Sequence, residues 1–218
     1  IALDAGAHGI TIHPRPDKRH IRPDDVPQLA NLLKQYPHAE FNIEGNPFFD
    51  YMPHIRATRP TQCTLVPDST EAFTSDHGWS LTPDTCTKLR PLIAEMKSLG
   101  ARVSLFMDAD SRGGADIEKA KDLGADRIEL YTEPYAASYV KGGDTLKKSL
   151  DLYATAAARA QAAGLEINAG HDLNLHNLPP FIHRIPTLAE VSIGHALIAD
   201  ALEFGMHTTI QKYLAACA

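Results

Sequence analysis

The sequence predicts an α/β chain of the (β/α)8 barrel class (a TIM barrel) in which the first strand precedes the residues shown. Three observations lead there. Short apolar runs alternate with helix-period segments along all 218 residues. The seven runs recur every 20 to 35 residues or so, as parallel strands joined by right-handed crossover helices do. Six of the seven deliver an ionisable side chain at or just after their C-terminal end, the end at which barrels build their sites. A doubly wound open sheet shares the first two features. The barrel is favoured because it needs eight strands, and the opening "IALDAGAHG" reads as the tail of a helix from one earlier unit.

The first run, "GITIH" (9–13), stops at His13 and enters "HPRPDKRH", six ionisable side chains in eight positions with two prolines fixing the backbone. "DDVPQLANLLKQY" then places Val26, Leu29, Leu32 and Leu33 on one helical stripe. "EFNIEG" (40–45) brings Glu44, and "QCTLVP" (62–67) leads to Asp68 and a polar, turn-rich loop over 68–82. "TPDTCTKLRPLIAEMKSLG" begins with a cap-like Thr82 and Pro83 and closes on Gly100. "RVSLFMDA" (102–109) ends on Asp108, and "DIEKAKDLGA" closes on Gly124. "RIELYT" (127–132) carries Glu129, followed by a long helix from about Thr145 that turns alanine-rich and ends at Gly164. "EINAGH" (166–171) delivers His171 and then Asp172, and "EVSIGHA" (190–196) ends in Gly194 and His195. The apolar content of these runs reads as strands buried on both faces. With no linker or low-complexity tract, 1–218 reads as one domain.

Composition narrows the function. A net charge of −6 offers no basic field for nucleic acid or an anionic membrane, and no apolar run reaches the roughly 20 residues of a membrane span. Cys63, Cys86 and Cys217 lie in no metal-ligand spacing. Three scattered cysteines fit a reducing cytoplasm better than a disulfide framework.

In a barrel the strand ends share one rim, and a purely structural barrel has no reason to desolvate so many carboxylates and imidazoles together. Individually each has a plainer reading. His13 alone is as well explained as a strand end, and Asp17, Lys18 and Arg19 as a solvated loop face. Asp108 and Glu129 read as ion-pair partners of Arg102 or Arg127, the preferred reading for Asp108. Two segments suggest phosphate. "SIGHALIADAL" is a strand, a glycine that lets backbone approach an anion, and a helix start with free N–H groups; "INAGHDLNLHN" repeats the pattern one strand earlier. "RPDKRH" offers Arg15, Arg19 and His20 as donors to an anionic oxygen. Two separated anion sites imply one or two substrates carrying two phosphates.

"GAHGITIHPRPDKRHI", "FNIEGNP", "LVPD", "VSLFMDAD", "IELYTEPYA", "INAGHDLNLHN" and "SIGHALIADAL" occur together in the order and spacing of the pyridoxine 5′-phosphate synthase family, which the chain resembles over essentially its whole length. The resemblance implies condensation of 1-deoxy-D-xylulose 5-phosphate with 3-amino-2-oxopropyl phosphate to pyridoxine 5′-phosphate, inorganic phosphate and water. It implies His13 and Glu44 as general bases, His171 as proton donor and Glu129 as the carboxylate stabilising the transition state. It also implies Arg15, His20 and Thr74 on the deoxyxylulose phosphate, and the backbone at Asp172 with Gly194 and His195 on the aminoketone phosphate. No metal and no organic cofactor is implied, because the aminoketone itself supplies the imine. A cytoplasmic homo-octamer, a tetramer of dimers, is implied as well. The loop over 68–82 is expected to close over the site, carrying Thr74. The family's first strand, with an asparagine, an Asp-His pair and then an arginine, is not among these residues, so the resemblance implies a longer native chain.

Rival readings remain at this stage. An aldolase would need a Schiff-base lysine at a strand end, and no run ends in lysine; an epimerase is the related alternative. A metallohydrolase would want a His-x-His pair, which "HPR" lacks. A barrel that only binds phosphorylated ligands would have no need for Glu44 and His171.

Overall fold

The computed structural model describes residues 1–110 and 114–218. Seven parallel strands form one sheet in chain order: β1 (Gly9–Ile12), β2 (Glu40–Gly45), β3 (Gln62–Leu65), β4 (Arg102–Met107), β5 (Arg127–Tyr131), β6 (Glu166–Gly170) and β7 (Leu188–Ser192). Each of the seven predicted runs contains a strand, although β7 starts two residues before the predicted 190–196 run and that run's last two residues open a helix. Among the described residues β1 and β7 are the sheet's two edges and do not pair with each other. The helices between them are α1 (Asp25–Leu33), α2 (Met52–Thr58), α3 (Pro83–Ser98), α4 (Ala115–Asp122), α5 (Glu133–Lys141), α6 (Gly143–Ala162), α7 (Leu178–Arg184), α8 (His195–Phe204) and α9 (Met206–Ala216).

Local chemistry sets the boundaries. The Thr82 hydroxyl accepts from Thr85 N–H at the start of α3, a cap for one of the helix's four orphan donors. The opening residues make a single turn that ends as helices do: Gly6, at φ +98°, donates to Leu3 O, and Ala7 donates to Ala2 O. The alanine-rich stretch of α6 is consumed within the chain, since Ala156, Ala157 and Ala160 are all buried.

The sheet is strongly curled. Gln62 on β3 donates to Glu190 on β7 at 3.0 Å, and Arg127 on β5 reaches both, at 3.2 and 2.6 Å. In a flat sheet, four strand spacings would hold β3 and β7 about 19 Å apart. These bonds therefore cross the inside of a barrel wall.

That interior corrects the reading of strands apolar on both faces. Side chains alternate. Ile43, Leu65, Leu105, Leu130 and Ile167 point outward into the core packed under the helices. Their neighbours Asn42, Thr64, Arg102, Arg127 and Asn168 point inward, where Thr64 donates to Asn42 and Arg127 to Asn168. The apolar core is a sheath outside the barrel; the lumen is polar, apart from a small cluster of Val66, Phe106 and Tyr131 near the mouth.

Candidate active site

Each strand hands its last inward-facing side chains to the same mouth. His13 follows β1, Glu44 is the penultimate residue of β2, and Asp68 lies just past β3. His13 Nδ1 is 3.7 Å from Glu44 Oε2, and its Nε2 is 3.8 Å from Asp68 Oδ2. The same Asp68 oxygen accepts from Arg15 Nη2 at 2.9 Å and from Ser75 Oγ at 2.8 Å. Thr74, beside Ser75, is 2.9 Å from His171 Nε2. Glu44, His13, Asp68 and the 68–82 loop are thus linked to His171 around one opening, by contacts no longer than 3.8 Å.

His171 sits on a strained turn. It has φ +85° and the following Asp172 φ +60°, a left-handed pair of non-glycine residues that costs on the order of 1–3 kcal/mol per residue and persists only where surroundings enforce it. The surroundings are visible. The buried Thr132 hydroxyl lies 2.7 Å from Gly170 O and 2.6 Å from His171 O. Asn177 Nδ2 donates to Asp172 O, and the Tyr131 ring meets the imidazole edge-on at 5.3 Å. His171 Nδ1 lies 3.1 Å from Asp172 Oδ2. The arrangement assigns the Nδ1 proton to the carboxylate and leaves Nε2 to accept from Thr74. The Asp172 side chain is therefore turned onto His171.

Glu129 is buried on β5, and its Oε2 has no partner among the described residues. Its other oxygen lies where a Cβ on Gly170 would be, only 2.3 Å from that position. Gly170 is what makes room for it.

Electrostatics separate the groups. Burial, aided by the charges of Arg15, His20 and Arg19, pushes His13 down to about 3, so its imidazole is neutral at neutral pH. Burial and the nearby Glu190 and Asp68 push Glu44 up to about 8, against the pull of Arg15. Burial, Glu44 and Glu190 also raise Glu129 well above the carboxylate range. At neutral pH the mouth holds a neutral imidazole beside the Glu44 and Glu129 carboxyl groups, which keep their protons.

Other predicted residues lie differently. His20 is exposed, near enough to contribute to the His13 shift. Gly194 and His195 are exposed at the N-terminus of α8, and a Cβ on Gly194 would meet nothing within 4 Å. Arg19 is not a free anion donor: its guanidinium donates to Ala72 O and Phe73 O and pairs with Asp17. Asp108 is not paired with Arg102; it accepts from Gly78 N–H, while Arg102 pairs with Glu40 at the opposite end of the barrel. The ion-pair reading of Glu129 fails similarly, because Arg127 is held by Glu166 and Glu190. Among the described residues no group of three or more His, Cys, Asp or Glu side chains could hold a metal ion. Sequence reasoning placed Asp68 on the rim without a role, passed over Ser75, and read the glycine of "INAGHD" as one that lets backbone approach an anion, where the structure shows Gly170 making room for Glu129. For Asp68 the signal was its position directly after "LVP".

Fold and mouth together define a parallel α/β barrel enzyme equipped for proton transfer. The chain belongs to the PdxJ family, whose model, described as pyridoxal phosphate biosynthesis protein PdxJ, matches residues 1–218. It is 53% identical to the pyridoxine 5′-phosphate synthase of Albidiferax ferrireducens, covering 98% of this chain and 84% of that protein. It is 51% identical to the enzyme of that name from Mesorhizobium japonicum, covering 100% and 87%. Among solved structures, phosphoribosyl anthranilate isomerase from Thermotoga maritima aligns with a TM-score of 0.62 at 14% identity, covering 99% of this chain and 90% of that one. 3-Hexulose-6-phosphate synthase from Salmonella typhimurium aligns at 0.62 and 16%, covering 99% and 90%. These last two likenesses concern the fold alone.

Proposed function

We propose that the chain, as a single barrel domain, acts as a pyridoxine 5′-phosphate synthase, joining 1-deoxy-D-xylulose 5-phosphate to 3-amino-2-oxopropyl phosphate with loss of water and inorganic phosphate. The observation that carries this reading is the linkage of Glu44, His13 and Asp68 to Thr74 and His171 around one mouth. Imine formation, two eliminations and aromatisation require successive proton transfers, and these groups are spaced to relay them. His13, neutral, accepts the first proton. Glu44 holds its proton until substrate binds; the substrate's ammonium supplies the positive charge that draws out the carboxylate, which then serves as a base. His171, held through Nδ1 by Asp172, takes up a proton at Nε2 as the reaction proceeds and returns it to the leaving oxygen. Glu129 sits where positive charge develops on the forming ring.

Arg15, His20 and Thr74 carry the donors that suit the sugar phosphate. The backbone at Asp172, with Gly194 and His195, faces the aminoketone phosphate. No helix of the described residues is long and apolar enough to cross a membrane, and we place the enzyme in the cytoplasm as a homo-octamer by family likeness. Sedimentation velocity checks the assembly. The test of activity is to supply both phosphorylated substrates and follow product ultraviolet absorbance together with released phosphate. Glu44→Gln should lower turnover at least about 10²-fold while calorimetric binding of the sugar phosphate stays within a few-fold. Undiminished turnover would remove Glu44 from the mechanism, and undiminished turnover under a chelator is expected of a metal-free route.

A further inference from the structure

We propose that Asp68 is a positioning residue that latches the 69–77 segment over the mouth and aligns Arg15 for the sugar phosphate. This rests on the reading of Arg15 as a substrate ligand. Asp68 is 2% exposed, and its own backbone oxygen is held by Asn46 Nδ2 at 3.0 Å, so the carboxylate is fixed from behind. A single oxygen, Oδ2, then makes every contact: Arg15 Nη2 at 2.9 Å, Ser75 Oγ at 2.8 Å and His13 Nε2 at 3.8 Å. The other oxygen has no partner among the described residues. A carboxylate serving only the scaffold would be expected to satisfy both oxygens once buried.

The loop depends on this point. Its far end is pinned where Gly78 donates to Asp108 Oδ1 and Trp79 to Phe106 O. Between Asp68 and Gly78 the buried attachment is Asp68 with Ser75, reinforced by Arg15, which reaches Ala72 O at 3.3 Å and Ser75 Oγ at 3.4 Å. Arg19 adds bonds to Ala72 O and Phe73 O from an exposed position. A buried charge-assisted pair outweighs such exposed contacts. Closing the latch sets Ser75, and with it brings Thr74 to His171. It also fixes the Arg15 guanidinium in one orientation, with Nη2 on Asp68 and Nη1 on Ala72 O.

The test separates latch from fold and from synthase chemistry. Phe73 is 87% exposed, yet a protease must draw the surrounding backbone out of the mouth to cut beside it. Chymotrypsin cleavage after Phe73, identified by fragment mass, therefore reports loop opening without any turnover. Asp68→Asn should speed that cut about tenfold, the order of one lost charged hydrogen bond, and Asp68→Glu should restore it to within about threefold. In steady state, Asp68→Asn should raise the KM of the sugar phosphate about tenfold and leave that of the aminoketone phosphate unchanged. An unchanged rate of cleavage, or equal rises in both KM values alongside a lowered Tm, would overturn the latch. Should Asp68→Asn fail to fold, Ser75→Ala decides by the same cut: faster cleavage supports the latch and an unchanged rate ends it. If the parent chain makes no product, the synthase reading fails, while the protease result still decides the latch.

Discussion

A carboxyl group pushed up to about 8 from an ordinary 4.5 is a liability as well as a tool. Below pH 4.5 Glu44 is neutral in both the folded and unfolded chains. Between there and pH 8 only the unfolded chain ionises it, so its contribution to stability falls as pH rises and levels off above 8. His13, lowered to about 3, acts oppositely, losing stability as pH falls below its ordinary 6.5. Above pH 6.5 the unfolded chain loses its own proton from His13, so that contribution fades across pH 6.5 to 8 while the one from the carboxylic acids persists. Urea midpoints should drop across that window, with Glu44 responsible for about 2 kcal/mol at most, at about 1.4 kcal/mol per pH unit. Glu44→Gln should remove its share of the slope, and an unaltered slope would show that Glu44 ionises normally in the folded protein. None of this was legible in the sequence. "EFNIEG" reveals a glutamate at a strand end, but the shift comes first from burial and then from Glu190 and Asp68, and the folding of other strands around it supplies both.

Secondary-structure elements were read more fully than their faces. The boundaries at Thr82, Gly100, Gly124 and Gly164 follow from capping chemistry, and each glycine adopts the left-handed φ that a helix end needs. The helices α2, α5 and α7 were passed over because a proline in the first turn and a short length blur their periodicity; α9 was passed over as well. The turn from β6 into His171 is the element on which catalysis leans most. Gly170→Ala would set a methyl group 2.3 Å from Glu129 Oε1, forcing the carboxylate aside at a cost of about 1–3 kcal/mol. Turnover should fall at least about tenfold while phosphate affinity holds, measured by steady-state rates beside calorimetric titration. Equal rates for Gly170→Ala and the parent would show that Glu129 needs no such placement.

At the scale of the whole molecule, a girdle of charge closes the barrel at the end away from the mouth. Arg127 bonds to Glu166, Glu190, Gln62 and Asn168, joining strands four apart in sequence order. Arg127→Met would strand Glu190 with less compensation and should destabilise the chain by about 3–5 kcal/mol, with Glu190→Gln in the same chain recovering part of it. Paired urea melts measure both; a neutral Arg127→Met would show the girdle to be dispensable. The sequence did carry this feature. Gln62, Arg102, Arg127, Glu166 and Glu190 each stand at or near a strand's start, and polar residues recur two positions on. The apolar residues between them drew attention to a sheath of core and away from the lumen.

The alternation has a consequence for how such a chain can change. Cohesion resides on the outward residues of each strand and reactivity on the inward ones, so the two properties occupy interleaved but separate alphabets. Randomising Asn42, Thr64, Ser104 and Asn168 together should yield many soluble folded variants with altered ligand preference. An equal number of changes at Ile43, Leu65, Leu105 and Ile167 should yield few that fold.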